Sequence, residues 1–326
     1  MMRFQGIYAS HIAEYLKLKR NLGFKLRDAE YVFVMFDRLT VERGEASIGI
    51  TKELSDAWCK KRPNETDGTK YNRISSLSLF ARFLCDMGFP SYIPEVPRFK
   101  TSFAPYIFSK DEIASIFSAC DRFLPGRIFH NAAYTMMPTL LRLLYSTGLR
   151  LGEALSLEEK DVNLTEKHVT VRHSKNGTER IVPISGSLTD VCLQYKSRKT
   201  LLMKRSACNL FFVKNDNTPC GQHTASATFR KILWKAGIPY KGKGIGPRLH
   251  DLRHTFACHS LVVMTESGLD LHSSLPILST YLGHRTLEST DKYVRLTAEM
   301  YDDLLNKEEE ICAYVFPELK LKKEEL

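Results

Sequence analysis

The chain has 326 residues, of which 43% are hydrophobic and 26% charged, with a formal net charge of +10. That length allows two domains with separate cores, and the composition is ordinary for a soluble globular protein. No run approaches the roughly 18 apolar residues of a membrane span, and the first twenty lack the apolar core of a secretory signal, so neither a membrane nor an exported protein is expected.

The charge is uneven. Residues 1–100 carry 17 Lys+Arg against 12 Asp+Glu, residues 101–298 carry 26 against 16, and residues 299–326 carry 4 against 9. A basic body with an acidic tail suits a polyanionic partner, although a merely basic enzyme fits the charge alone equally well. Eight cysteines without a CxxC pair argue against a disulfide framework or a zinc ribbon and for a reducing, cytoplasmic setting.

In chain order, the first hundred residues read as four short helices. HIAEYLKLKRNLGF places Ile12, Tyr15, Leu16 and Leu18 near helical spacing and ends at Gly23. DAEYVFVMFDRLTVERG presents Tyr31, Val34, Met35 and Leu39 as a face, with Gly44 beyond its end. A third helix fits Lys52 to Lys61, and a fourth turns Ile74, Leu77, Phe80, Leu84 and Met87 inward. Four prolines in residues 89–107 predict an extended linker, because proline removes donors and stiffens the chain. The expected division is 1–104, with the linker at about 89–104, and 105–326.

Ser109 with Glu112 three residues on predicts a capping box opening the second part. A helix through Tyr134–Tyr145 follows, then a tight turn permitted by Gly148 and Gly152 with Arg150 at its tip. KHVTVRHSKNGTERIVPIS alternates on both sides of Asn176-Gly177, which predicts a β-hairpin with Lys175 at its turn. Helices are expected through Leu188–Lys204 and Thr224–Ala236, and residues 241–248 read as a flexible basic loop. The fold class is therefore mainly α with a small β-hairpin.

Taken singly, the polar motifs decide little. An arginine after a glycine turn is commonly a surface ion-pair residue, and turns are rich in lysine. His250 and His254 at i, i+4 have the spacing of zinc ligands, but the acid of HExxH and a third ligand are missing. They also suit ordinary polar residues at a helix start, or a phosphate clamp where backbone N–H groups favour an anion.

The ordered set is more specific. TGLRLGEAL with Arg150, a hairpin Lys175, HDLRHT with His250 and Arg253, LGH with His284, and Tyr293 nine residues later resemble the tyrosine recombinases, the phage integrase family. The resemblance covers the whole second part, and the helical first part suits the family's core-binding domain. It implies a mixed α/β catalytic domain that cuts and rejoins double-stranded DNA through a 3′-phosphotyrosine, with no metal or other cofactor. It implies Tyr293 as nucleophile, Arg150 and Arg253 on the non-bridging oxygens, and Lys175 as acid to the leaving 5′-oxygen. His250 would be the base and His284 a phosphate contact, with Glu153 holding Arg150 or a neighbouring cation. His254 is assigned to a structural role as a partner within its helix, and Cys258 and His259 to packing. Self-association to a tetramer on DNA, accessory recombinase or DNA-bending proteins, and a tail helix over 299–326 docking on a neighbouring protomer belong to the same expectation. The alternatives are a type IB topoisomerase-like nicking-closing enzyme and a catalytically silent DNA-binding protein. The segment before LGH also looks a few residues longer than in the family's shorter forms.

Overall fold

The computed structural model describes residues 4–24, 26–98, 104–122, 133–172, 179–202, 208–239, 242 and 246–300. The chain forms two compact units, Met1–Phe103 and Ala104–Leu326.

The first unit consists of α1 (Ala9–Asn21), α2 (Arg27–Glu42), α3 (Lys52–Cys59) and α4 (Asp67–Asp86). Thr51 and Thr66 cap α3 and α4 by accepting the N–H of Leu54 and Thr69. The core is aromatic, built from Tyr8, Tyr15, Phe33, Phe36, Trp58 and Phe80 in edge-on and tilted contacts. Three expected faces are corrected at single positions. Tyr31 on α2 is exposed; Met35 and Leu39 pack half-buried on the core, and the most buried positions of the helix are Phe33, Phe36, Asp37 and Thr40. Asp37 is buried because its carboxylate accepts the N–H groups of Gln5 and Gly6, so a polar residue belongs to the inward stripe. Leu18 and Met87 are likewise exposed, at or beside the ends of their helices. Residues 89–98 carry no helix or strand but are not a free linker throughout. The Tyr92 N–H donates to Ile50 O, the Ile50 N–H donates to Ser91 Oγ, and Phe89 packs on the core.

The second unit opens with α5 (Lys110–Asp121), whose Ser109–Glu112 capping box is formed. Then come α6 (Met137–Thr147), the short α7 (Leu151–Leu155), a 3-10 turn at Glu159–Asp161, β1 (Val162–Asn163), β2 (His168–Val171) and β3 (Arg180–Pro183). The sheet is antiparallel in the order β1-β2-β3, and Val169 faces Val182 across the hairpin. Val169, Val171 and Val182 point into the core. The two-residue β1 was not anticipated, being too short to carry an alternation. The hairpin turn with Asn176-Gly177 lies outside the described residues.

Helices α8 (Gly186–Leu202), α9 (Gln222–Lys235), α10 (Asp251–Glu266), α11 (Leu271–Leu282) and α12 (Glu288–Met300) complete the unit. The main core joins α5, α6, the sheet, α8 and α9, and a second cluster joins α10, α11 and Tyr293 of α12. Helix α10 packs against α6, α11 and α12, which makes it the axis of the unit. Residues 301–326, with the end of the expected tail helix, lie outside the described residues. Among those described, no helix is long and apolar enough to cross a membrane.

Candidate active site

The turn between α6 and α7 starts the site. Gly148 ends α6 at φ +58, and a Cβ there would lie 2.4 Å from the Phe256 ring and 2.7 Å from Leu282. Only glycine allows both the left-handed backbone and the close approach of α10 and α11. Arg150 follows at the N-cap of α7, where the buried carboxylate of Glu153 accepts its backbone N–H at 3.0 Å and its Nη1 at 2.8 Å. Burial raises the Glu153 pKa, but Arg180 and Arg150 outweigh it, and the carboxyl is held below its ordinary value. The arginine is thus braced at backbone and guanidinium while remaining partly exposed.

Helix α10 supplies a row of buried polar side chains, Asp251, Arg253, His254 and Thr255. Asp251 accepts the Arg248 N–H at 2.7 Å and pairs with its guanidinium at 3.0 Å, closing the helix start. Thr255 accepts the Phe108 N–H at 3.0 Å and ties the helix to the chain entering α5. Arg253, 2% exposed, reaches across two turns of backbone. Its Nη1 donates to Gly148 O at 2.6 Å, and its Nη2 to Leu282 O and His284 Nε2, each at 2.9 Å. Among the described residues no carboxylate lies within ion-pairing distance of it. Burial, then the charge of Arg150, lowers the Arg253 pKa to about 10.

An arginine can only donate, so the Arg253 contact makes His284 Nε2 an acceptor and assigns the ring proton to Nδ1. Nδ1 lies 2.7 Å from Thr290 Oγ1 and donates to it. Burial and the neighbouring Arg253 and Arg150 hold the His284 pKa near 4, in accord with a neutral ring. Gly283, in the left-handed region at φ +66, ends α11 and turns His284 back onto α10.

Tyr293, on the second turn of α12, is 1% exposed. Its hydroxyl lies 2.9 Å from His254 Nδ1, and its ring stacks 6.2 Å from that of His284. Burial pushes the phenol up to about 12, against the pull of Arg253. His254 is pushed down to about 3 by burial and then by its cationic neighbours and His250. The phenol's partner is therefore a histidine expected only as a structural partner within its helix. His250, expected as the base, packs edge-on against His254 at 4.9 Å, at the exposed start of the helix. Its pKa is held near 4 by the surrounding protein and by Arg253, Arg248, Arg150 and Lys292.

Two further residues reach the site. Lys292 sits 5.2 Å from the Tyr293 ring centre, and burial followed by Arg253 lowers its pKa. Arg180 on β3 donates to the Glu153 carboxylate at 2.8 Å. A lysine beside the tyrosine gives no signal of its own, whereas Arg180 lies in the expected hairpin and was passed over. Lys175, the expected acid, lies outside the described residues. The structure thus brings Arg150, Arg253, His250, His284 and Tyr293 to one end of α10. The cluster holds Arg150, Arg180, Arg248, Arg253 and Lys292 against Glu153 and Asp251, an excess of positive charge that suits an anion. Among the described residues there is no group of three or more His, Cys, Asp or Glu able to hold a metal ion.

Residues 107–300 match the Phage integrase family. A protein of Sinorhizobium fredii described as an integrase/recombinase, y4rB, is 31% identical over 308 residues, covering 91% of this chain and 95% of its own length. Tyrosine recombinase XerA of Pyrococcus horikoshii is 30% identical over 217 residues, 66% of this chain and 64% of that protein. Among solved structures, a lambda integrase dimer bound to a COC' core site is similar in fold. Its TM-score is 0.61 at 18% identity, over 87% of this chain and 94% of that one.

Proposed function

Because the chain belongs to the phage integrase family, we infer that it is a site-specific DNA recombinase that cuts and rejoins strands through a phosphotyrosine. The observation that carries this reading is the Tyr293 hydroxyl set beside the buried, carboxylate-free Arg253, with Arg150 and His284 in the same cluster.

In the proposed reaction the scissile phosphate enters the positive cluster, and Arg150 and Arg253 take its non-bridging oxygens. Paired N–H donors of a guanidinium match that geometry. The phosphate also brings the negative charge the cluster lacks, which raises the depressed histidines toward their ordinary range. The phenol proton then passes toward the His254–His250 pair as the oxygen attacks phosphorus. The bond to the 5′-oxygen breaks, and that oxygen takes a proton from Lys175. A phosphotyrosine ester keeps the energy of the broken bond, so a 5′-hydroxyl from another duplex reverses the step without ATP. His284 donates to the phosphate once its Nε2 is protonated.

The first unit, carrying the +5 balance of residues 1–100, is assigned to duplex binding, and assembly on DNA proceeds through self-association to a tetramer. A cytoplasmic location suits this substrate and the unpaired cysteines. The test is incubation with nicked suicide duplexes tiling the DNA that flanks the gene. A covalent 3′-phosphotyrosyl adduct is expected, and its loss in Tyr293→Phe identifies the nucleophile. No adduct on any duplex refutes the reading.

A further inference from the structure

Arg180 stands where three parts of the site meet. Its Nη2 and Nη1 donate to the two oxygens of Glu153 at 2.8 and 3.4 Å, the same carboxylate that braces Arg150. Its Nε donates to Tyr281 O at 3.1 Å, on the last turn of α11. The guanidinium lies flat against Gly283, where an added Cβ would be 2.9 Å from Nη1 and 3.1 Å from Cζ. It sits on β3, opposite Val171, five residues after Lys175. The side chain is only 11% exposed, so its charge is committed to these partners rather than to solvent.

We propose that Arg180 is a positioning residue for strand cleavage, setting Arg150 and His284 at a fixed separation. The argument is geometric and rests on the recombinase reading above. Glu153 alone would hold Arg150 to α7 but would not relate α7 to the turn that carries His284. Arg253 ties the Gly148 turn to Leu282 and His284, and Arg180 adds the tie from the Glu153 carboxylate itself, because one rigid planar group bonds the carboxylate on one edge and the α11 carbonyl on another. It also takes up part of the Glu153 charge. Without it, the carboxylate would have Arg150 as its remaining guanidinium partner and would draw that group away from an incoming phosphate. A lysine at 180 keeps the charge but lacks the fork, so it cannot make both sets of contacts.

The test compares wild type, Arg180→Lys, Arg180→Gln and Arg150→Ala on a nicked duplex chosen because wild type forms an adduct on it. Each is assayed with an ordinary scissile phosphodiester and with a methylphosphonate there, which removes one non-bridging charge. On the phosphodiester, both Arg180 variants are expected to lose about 100-fold in the rate of adduct formation, the scale of a misplaced catalytic group. On the methylphosphonate most of that loss should disappear, following the pattern of Arg150→Ala, because the neutral centre depends less on the second guanidinium. Equal losses on the two substrates would mean that Arg180 only stabilises the fold. Wild-type rates in Arg180→Lys and Arg180→Gln would also overturn the proposal. If wild type yields no adduct on any flanking duplex, the recombinase reading itself fails and takes this inference with it.

Discussion

Among the described residues each unit buries one arginine almost completely, and the two are held in opposite ways. Arg73, in the first unit, is 2% exposed and gives Nε and Nη2 to the two oxygens of Glu65, at 2.8 and 2.9 Å. The guanidinium also lies 5.0 Å from the Trp58 ring centre. Arg253 is equally buried but has two backbone carbonyls and a neutral histidine in place of a carboxylate. A neutralised buried arginine is a structural part. One oriented by neutral acceptors leaves its charge uncompensated, and the downward shifts of His250, His254 and His284 around it come first from burial and then from this charge and its neighbours.

That contrast can be broken by experiment. The largest effect is expected in the first unit, where Arg73→Met strands the buried Glu65 carboxylate and should cost about 3–5 kcal/mol of unfolding free energy. Urea titration measures it, and an unchanged midpoint would show that the pair is not structural. Arg253→Ala should instead act on chemistry, with about 2.7–4 kcal/mol of transition-state stabilisation lost. Single-turnover adduct formation on the suicide duplex reads this as a fall of about 100- to 1000-fold. If the loss appears as stability and not as rate, the contrast between the arginines collapses.

Acid should separate the units next. His254 has a folded pKa near 3 against an unfolded value near 6.5. The neutral form is the one the fold accepts, so stability is fully present above pH 6.5 and is lost as pH falls toward 3. At pH 5 this one residue should cost about 2 kcal/mol. Thermal melts at pH 7.5 and 5 test it, and His254→Phe should reduce the dependence by this share, leaving the part that His250 and His284 contribute. The smallest effect is at Ser109, which caps α5 by accepting the Glu112 N–H at 3.1 Å. Ser109→Ala should lower stability by about 1 kcal/mol and leave adduct formation per folded molecule unchanged.

Much of the fold was legible because its signals are local. The Ser109–Glu112 box, the glycines after α1 and α2, and the alternation on β2 and β3 each depend on a few neighbouring residues. The face of α2 was read only in part because hydrophobicity alone cannot show that Asp37 will be buried by accepting N–H groups from Gln5 and Gly6, about thirty positions away. The contact of His254 with the Tyr293 hydroxyl was missed for a related reason. His250 and His254 share one helix face, and spacing says nothing about which of them a distant tyrosine will meet.

The sequence by itself determined most of the elements, though not β1, together with the family resemblance and the residue types from which the site is drawn, because helix caps, turns and motif order are written in short spans. Only the tertiary structure decided who holds whom. Arg253 meets Gly148 O across 105 positions, Arg180 meets Tyr281 O across 101, and His254 meets the Tyr293 phenol across 39. Such bonds form only when packing of α10 against α6, α11 and α12 brings these groups together and removes the water that would otherwise satisfy them.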